Sequence, residues 1–296
     1  MKVMLKGEET QSLRNKIISE GDEVVLSGGD FILQDVLSDT KELCPRVNGR
    51  YVLPDLILEA MGLSVALAPV EFYVMKWFDS KWSDQTLVLM PLNTLMDKGL
   101  GPQCLTGWGC RYVHGSKIEE IFNKPLLIDY LKSSGHIGFV SIGLSSKSPE
   151  KIVNFFAGSP PFALCNVVEG CQGKISEFLT GELPILLESW TVGLAISLSP
   201  FPFKRKIPRV DVKGLTLEAS KHLWPIGLRT YKKTCFSDDS LLCFATAWAK
   251  TLHDAAFRVL RTARGFNAPG LQYRQDPAEA LSDLWYLAKT HPLMGL

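Results

Sequence analysis

The residues with a chemistry to offer are cations, and they crowd the last third of the chain. The stretch "FKRKIPR" (203–209) places Lys204, Arg205, Lys206 and Arg209 behind a Phe-Pro-Phe. "LRTYKKT" (228–234) adds Lys232 and Lys233, and the segment 241–265 adds Lys250, Arg258, Arg261 and Arg264. Residues 199–264 hold 13 Lys/Arg against 5 Asp/Glu. Cations at this density attract oxyanions. On an acidic lipid surface each contributes about 1 kcal/mol, and on nucleic acid the same charges act by releasing counterions. The net charge of +1 conceals the asymmetry, which is −6 over residues 1–198 and +7 over 199–296. An anionic partner for the basic half, or head-to-tail contact between copies, would use it.

Other chemistries leave little trace. No GxSxG, HExxH or Walker phosphate loop occurs in the chain. "GLGPQCLTGWG" (99–109) is glycine-rich but lacks the Lys-Ser/Thr ending, so it reads as turns between strands. The histidines at 114, 136, 222, 253 and 291 show no i,i+4 pairing and read as surface or core residues. The paired carboxylates Glu119–Glu120 and Asp238–Asp239 read as solvent-exposed. The seven cysteines are scattered, as buried thiols in a reducing compartment are. Their two C-x5-C spacings exceed the usual zinc-ligand spacing, so no metal site and no cofactor are expected. Cys165 and Cys235 are the thiols that could serve a cysteine-dependent enzyme with a distant histidine.

These residues need elements to place them. Leu13, Ile17 and Ile18 predict a short helix ending at Gly21, and "PDLILEAMG" (54–62) predicts another. Strands are predicted within 64–78, 86–92, 136–145, 162–168, 189–198 and 209–219, from runs of β-branched and aromatic residues. Residues 116–135 predict a helix with Ser116 and Glu119 as a capping box, kinked or split at Pro125. Two helices are predicted to close the chain, 241–265 and 276–289. In the first, Leu241, Phe244, Trp248, Leu252, Ala255, Val259, Leu260 and Ala263 share one face. Lys250, Arg258, Arg261 and Arg264 lie opposite, with Phe257 among them and His253 at the edge. The result is a β-rich α+β chain whose irregular order argues against a doubly wound parallel sheet. The polar stretch 169–184 suggests a boundary between an acidic domain (1–172) and a basic one (185–296). The first residues carry charges where a signal peptide would be apolar, and the longest apolar stretches are too short to span a bilayer. A protein neither secreted by the usual route nor membrane-spanning is expected.

From residue 138 onward the order of features resembles the matrix proteins of non-segmented negative-strand RNA viruses, of the paramyxovirus type. The pieces are "FVSIGLSS" (139–146), "FALCNVV" (162–168), "GKI" (173–175), "LP" (183–184), "FKRK" (203–206) and "YKKTCF" (231–236), then a segment ending at Trp248. The resemblance implies two antiparallel β-sandwich domains with peripheral helices and a basic second domain that faces the membrane. It implies a non-enzymatic viral structural protein that self-assembles as a dimer or lattice under an acidic phospholipid membrane. Such a protein bridges envelope, glycoprotein tails and nucleoprotein during budding, and is located in the virion, the host cytoplasm, the inner face of the host membrane or the nucleus. Lys204, Arg205 and Lys206 then match the family's basic run, and Lys232 and Lys233 a second basic pair. The alternative expectation is a nucleic-acid-binding protein, a viral movement or nucleocapsid-associated protein, that takes RNA on the same surface. A cysteine-dependent enzyme is the third.

Overall fold

A strand covered on both sides must be apolar on both sides, and the runs from Phe72 onward are. Phe72, Val74 and Phe78 are buried toward one side, and Met75 and Trp77 toward the other. The structure is a computed structural model that describes residues 46–47, 50–52, 61–64, 66, 68–93, 105–160, 163–172, 185–186, 188–198, 208–231, 234–237 and 239–296. The expected helices at 10–21 and 54–60 lie outside these residues, as does most of the polar stretch 169–184.

In chain order the strands begin with β1 (Arg46–Val47), β2 (Arg50–Val52), β3 (Phe72–Asp79), β4 (Lys81–Asn93) and β5 (Leu105–Val113). They continue with β6 (Ile137–Leu144), β7 (Asn154–Ala157), β8 (Cys171–Gln172), β9 (Ile185–Leu186) and β10 (Trp190–Ser197). The last are β11 (Val210–Val212), β12 (Leu223–Pro225), β13 (Leu228–Tyr231), β14 (Thr234–Ser237) and β15 (Leu241–Ala249). The helices are α1 (Glu119–Phe122), α2 (Pro125–Ser133), α3 (Ala163–Glu169), α4 (Leu217–Ser220), α5 (Leu252–Arg264) and α6 (Pro277–Thr290).

Ten strands form one sheet in the order β1-β2-β7-β6-β3-β4-β5-β10-β15-β12, every neighbouring pair antiparallel. A three-stranded sheet (β11-β14-β13) and a two-stranded one (β8-β9) stand beside it. The β-rich α+β class expected from the sequence is what the chain adopts. β5 pairs with β10 in register Trp190↔Arg111 to Leu194↔Gly107, so strands from either side of 169–184 share one sheet where two sandwiches were expected.

Alternation divides the side chains of this sheet between two cores. Val88, Met90, Val192, Leu194 and Ala245 face a layer made by α1, α2, α5 and α6. Leu87, Leu89, Trp108, Ala195 and Phe244 face α3. Beneath α1, the buried Lys76 ammonium meets the Glu119 carboxylate at 3.4 Å, and Thr86 Oγ1 donates to the same carboxylate at 3.2 Å. A buried ammonium needs such a partner.

Three expectations fail for physical reasons. Residues 241–249 form a strand, because Cys243, Ala245, Ala247 and Ala249 pack on one side and Phe244 and Thr246 on the other. Pairing with β10 on one edge and β12 on the other overrides the helix propensity of the alanines. The helix starts only after Thr251, whose side chain accepts from the Asp254 N–H at 3.1 Å as an N-cap. Residues 163–169 form a helix although their valines suggested a strand, and every residue from Ala163 to Val168 is buried around it. Between 209 and 219, only Val210–Val212 is extended, and Leu217–Ser220 is a helical turn. The Pro125 split between α1 and α2 and the helix after Asp276 occur as expected.

The β5–β10 seam depends on glycine. A Cβ at Gly107 would press into the backbone carbonyl of Gly193 across the pair. Gly107→Ala is expected to destabilise the protein by about 1–3 kcal/mol, read from the urea midpoint; an unchanged midpoint would contradict the register. Between α2 and β6, buried His136 lies 3.2 Å by its Nε2 from the Phe139 carbonyl, and burial lowers its pKa from 6.5 to about 4. The unfolded chain therefore binds this proton at higher pH than the folded one, and stability falls as pH drops from 6.5 toward 4. The expected loss is on the order of 3 kcal/mol, and a His136→Gln variant should show a flatter pH dependence over that window.

Candidate functional site

On β15 the side chains of Phe244 and Thr246 point to the α3 side, and β12 pairs alongside with Trp224 opposite Phe244. The Thr246 N–H donates to the His222 carbonyl at 2.8 Å, which extends this pairing by one residue. Period-two alternation then sets His222 and Trp224 on the same face as Thr246. Above them ends α3, and its last residue is Glu169.

Glu169 is the centre of the arrangement. Its side chain is only 5% exposed, and its Oε1 lies 2.8 Å from Nδ1 of His222. The Thr246 hydroxyl donates to Oε2 at 2.6 Å. Trp224, fully buried, donates its indole N–H to Thr246 Oγ1 at 3.0 Å. A carboxylate at a helix C-terminus faces the negative end of the helix dipole and gains nothing from it. Donors from β12 and β15 must therefore hold it.

The proton positions follow from donor and acceptor chemistry. An indole N–H can only donate, so Thr246 Oγ1 accepts from Trp224 and spends its own proton on Glu169. A carboxylate can only accept, so the neutral His222 ring carries its proton on Nδ1. That leaves Nε2 as a lone-pair acceptor, on a ring whose side chain is 40% exposed. A solvent-reaching imidazole oriented by a buried carboxylate is a proton acceptor in waiting. Neither His222 nor Glu169 stood out in the sequence. The alternation in "KHLWP" (221–225) and a Glu-Gly at the end of an apolar run were the available signals, and both needed 163–169 to be read as a helix.

The cationic residues lie elsewhere. Lys204, Arg205, Lys206, Lys232 and Lys233 fall outside the described residues. Arg209 is exposed, its guanidinium 3.7 Å from the Phe236 ring centre. Lys250, Arg258, Arg261 and Arg264 are exposed on and just before α5, which packs on the sheet face opposite His222. Arg258 donates to the Trp248 carbonyl at 2.9 Å. The structure thus gathers four of the ten cations along one helix and keeps them apart from the Glu169–His222 pair.

Of the two candidate thiols, Cys165 is buried and Cys235 half-buried. Cys110, Cys165 and Cys243 are buried, and burial pushes the Cys110 and Cys171 thiols up to about 12 and raises Cys243 as well. Such groups stay protonated and are poor nucleophiles. No group of three or more His, Cys, Asp or Glu side chains that could hold a metal ion occurs among the described residues.

No family model and no curated protein matches the chain. Solved structures do. Phosphoribosylamine–glycine ligase from Thermotoga maritima aligns with a TM-score of 0.51 at 17% identity, over 71% of this chain and 56% of the ligase. Phosphoribosylglycinamide synthetase from Anaerococcus prevotii aligns with a TM-score of 0.43 at 11% identity, over 71% of this chain and 55% of the synthetase. The chain therefore spans little more than half the length of either. The first likeness shows a shared fold. It overturns the matrix-protein resemblance. With it go the non-enzymatic structural role, the virion and budding assignments, and the expected membrane, glycoprotein, nucleoprotein, RNA and lattice partners. The nucleic-acid alternative finds no support in it either.

Proposed function

We propose that this protein is an enzyme of the ligase class, and that His222 Nε2 is the proton acceptor for its amine substrate. The observation that carries the reading is the fold shared with phosphoribosylamine–glycine ligase over 71% of the chain. The Glu169–His222 pair supports it from chemistry. A ligase of that name joins an amine to the carboxyl group of an amino acid. An amine attacks only through a lone pair, so a proton must leave nitrogen as the C–N bond forms, while the C–O bond to the departing carboxyl oxygen breaks and that oxygen leaves as phosphate supplied by a nucleoside triphosphate co-substrate. His222 Nε2 takes that proton, and Glu169, bonded to Nδ1–H, stabilises the imidazolium that results. Thr246 and Trp224 act as positioning residues, since they hold the carboxylate and touch no substrate.

The full chain, supplied with phosphoribosylamine, glycine and a nucleoside triphosphate, is expected to form the amide, detected by mass spectrometry. His222→Gln keeps a donor for Glu169 but supplies no base. It should lower kcat/KM by about 10²–10⁴-fold with little change in the thermal midpoint. Absence of product from the unaltered chain would remove the ligase reading. Full activity in His222→Gln would remove the histidine's role alone.

A further inference from the structure

On the sheet face opposite His222, Arg111 projects from β5 toward α6. Its neighbours in the sheet are Val88 on β4 and Trp190 on β10. Its guanidinium carbon lies 4.9 Å from the ring centre of Trp190 and 4.9 Å from that of Trp285 on α6. The two indoles meet edge to face, 5.2 Å apart at 80°. Trp190 is buried, whereas Arg111 and Trp285 are half-buried. Two residues before Arg111, Leu281 of α6 occupies the space where a Gly109 side chain would begin, so the helix is pressed onto β5. The aromatic walls are therefore fixed by backbone packing.

This cation lacks what such a group ordinarily has. Among the described residues no carboxylate or carbonyl accepts from its N–H groups, and its contacts are the two indoles. Burial lowers its pKa, and no neighbouring carboxylate acts to raise it. A desolvated guanidinium without a counter-charge is costly. The two indoles offer this guanidinium π-faces and no oxygen acceptor, and its N–H groups form a planar fork matched to oxyanions.

We propose that Arg111, held by Trp190 and Trp285, is a binding site for a small oxyanion, a phosphate or carboxylate group taken edge-on by parallel N–H···O bonds. The site lies across the sheet from His222 and stands whether or not the ligase reading does. It is also distinct from the exposed arginines of α5, because its cation is stacked, half-buried and single.

The indoles supply the reporter. Inorganic phosphate and, separately, acetate are titrated into the full chain at constant ionic strength, with tryptophan fluorescence as the readout. A saturable change with at least one anion is expected. Arg111→Met should abolish it, and Arg111→Lys, which keeps the charge but not the fork, should weaken it by roughly tenfold. Circular dichroism establishes that each variant is folded, and Arg111→Lys decides the matter if Arg111→Met is not. Saturation by phosphate alone assigns the site to a phosphate group, and by acetate alone to a carboxylate. Saturation by neither, or equal affinity in Arg111→Lys, would overturn the proposal.

Discussion

A carboxylate whose side chain is 5% exposed, set at the end of a buried helix, has to be matched by donors or be neutralised. Glu169 is matched from two strands at once, by the His222 ring from the start of β12 and by the Thr246 hydroxyl from β15. Breaking one side of such an arrangement costs about 3–5 kcal/mol when the remaining charge stays buried. The carboxylate therefore pins α3 to the edge of the main sheet. The same bond sets which nitrogen of His222 carries its proton. Stability and reactivity here rest on a single buried charge.

The sheet around this charge has a division of labour. The face under α1, α2, α5 and α6 is packed with aliphatic and aromatic side chains; of its polar insertions, Lys76 meets the Glu119 carboxylate, whereas Arg111 lies against two indoles. The α3 face carries the larger aromatic residues, Trp77, Trp108 and Trp224, with hydroxyl, amide and carboxylate groups set among them. Asn166, fully buried on α3, donates to the Trp108 carbonyl at 3.0 Å, and a side chain at Gly193 would run into its amide. Helix and strand approach there because one has an amide and the other has no side chain. That close packing places the end of α3, and so Glu169, over β12 and β15.

The strands of the main sheet were legible where one segment repeats a simple period. The runs 136–145 and 189–198 contain the observed β6 and β10, 64–78 overlaps β3, 86–92 lies inside the longer β4, and Pro125 divides α1 from α2 as its missing N–H requires. The sequence was misleading where burial on all sides erases the period. Residues 163–168 are buried on every face, so nothing but length and flanking residues separates helix from strand there. In 241–249 a strand made of small residues imitates a helix. Both errors fell on the elements that carry Glu169 and Thr246, which is why the candidate pair was invisible. Of the cations conspicuous in sequence, Lys250, Arg258, Arg261 and Arg264 lie on and just before α5, on the sheet face remote from it. Arg111 escaped notice because its indole partners lie 79 and 174 residues further along the chain, a proximity that only folding creates.

The protonation of the His222 ring links the buried carboxylate to the proposed proton transfer. A long-range proton–nitrogen correlation NMR spectrum of the full chain, with His222 assigned by comparison with His222→Gln, reports which ring nitrogen is protonated. The expected result for the neutral ring is a proton on Nδ1 and an unprotonated Nε2, lost or scrambled in Glu169→Gln. A neutral His222 protonated on Nε2 would contradict the account, because that ring could neither bond the buried carboxylate through Nδ1–H nor accept a proton from a substrate.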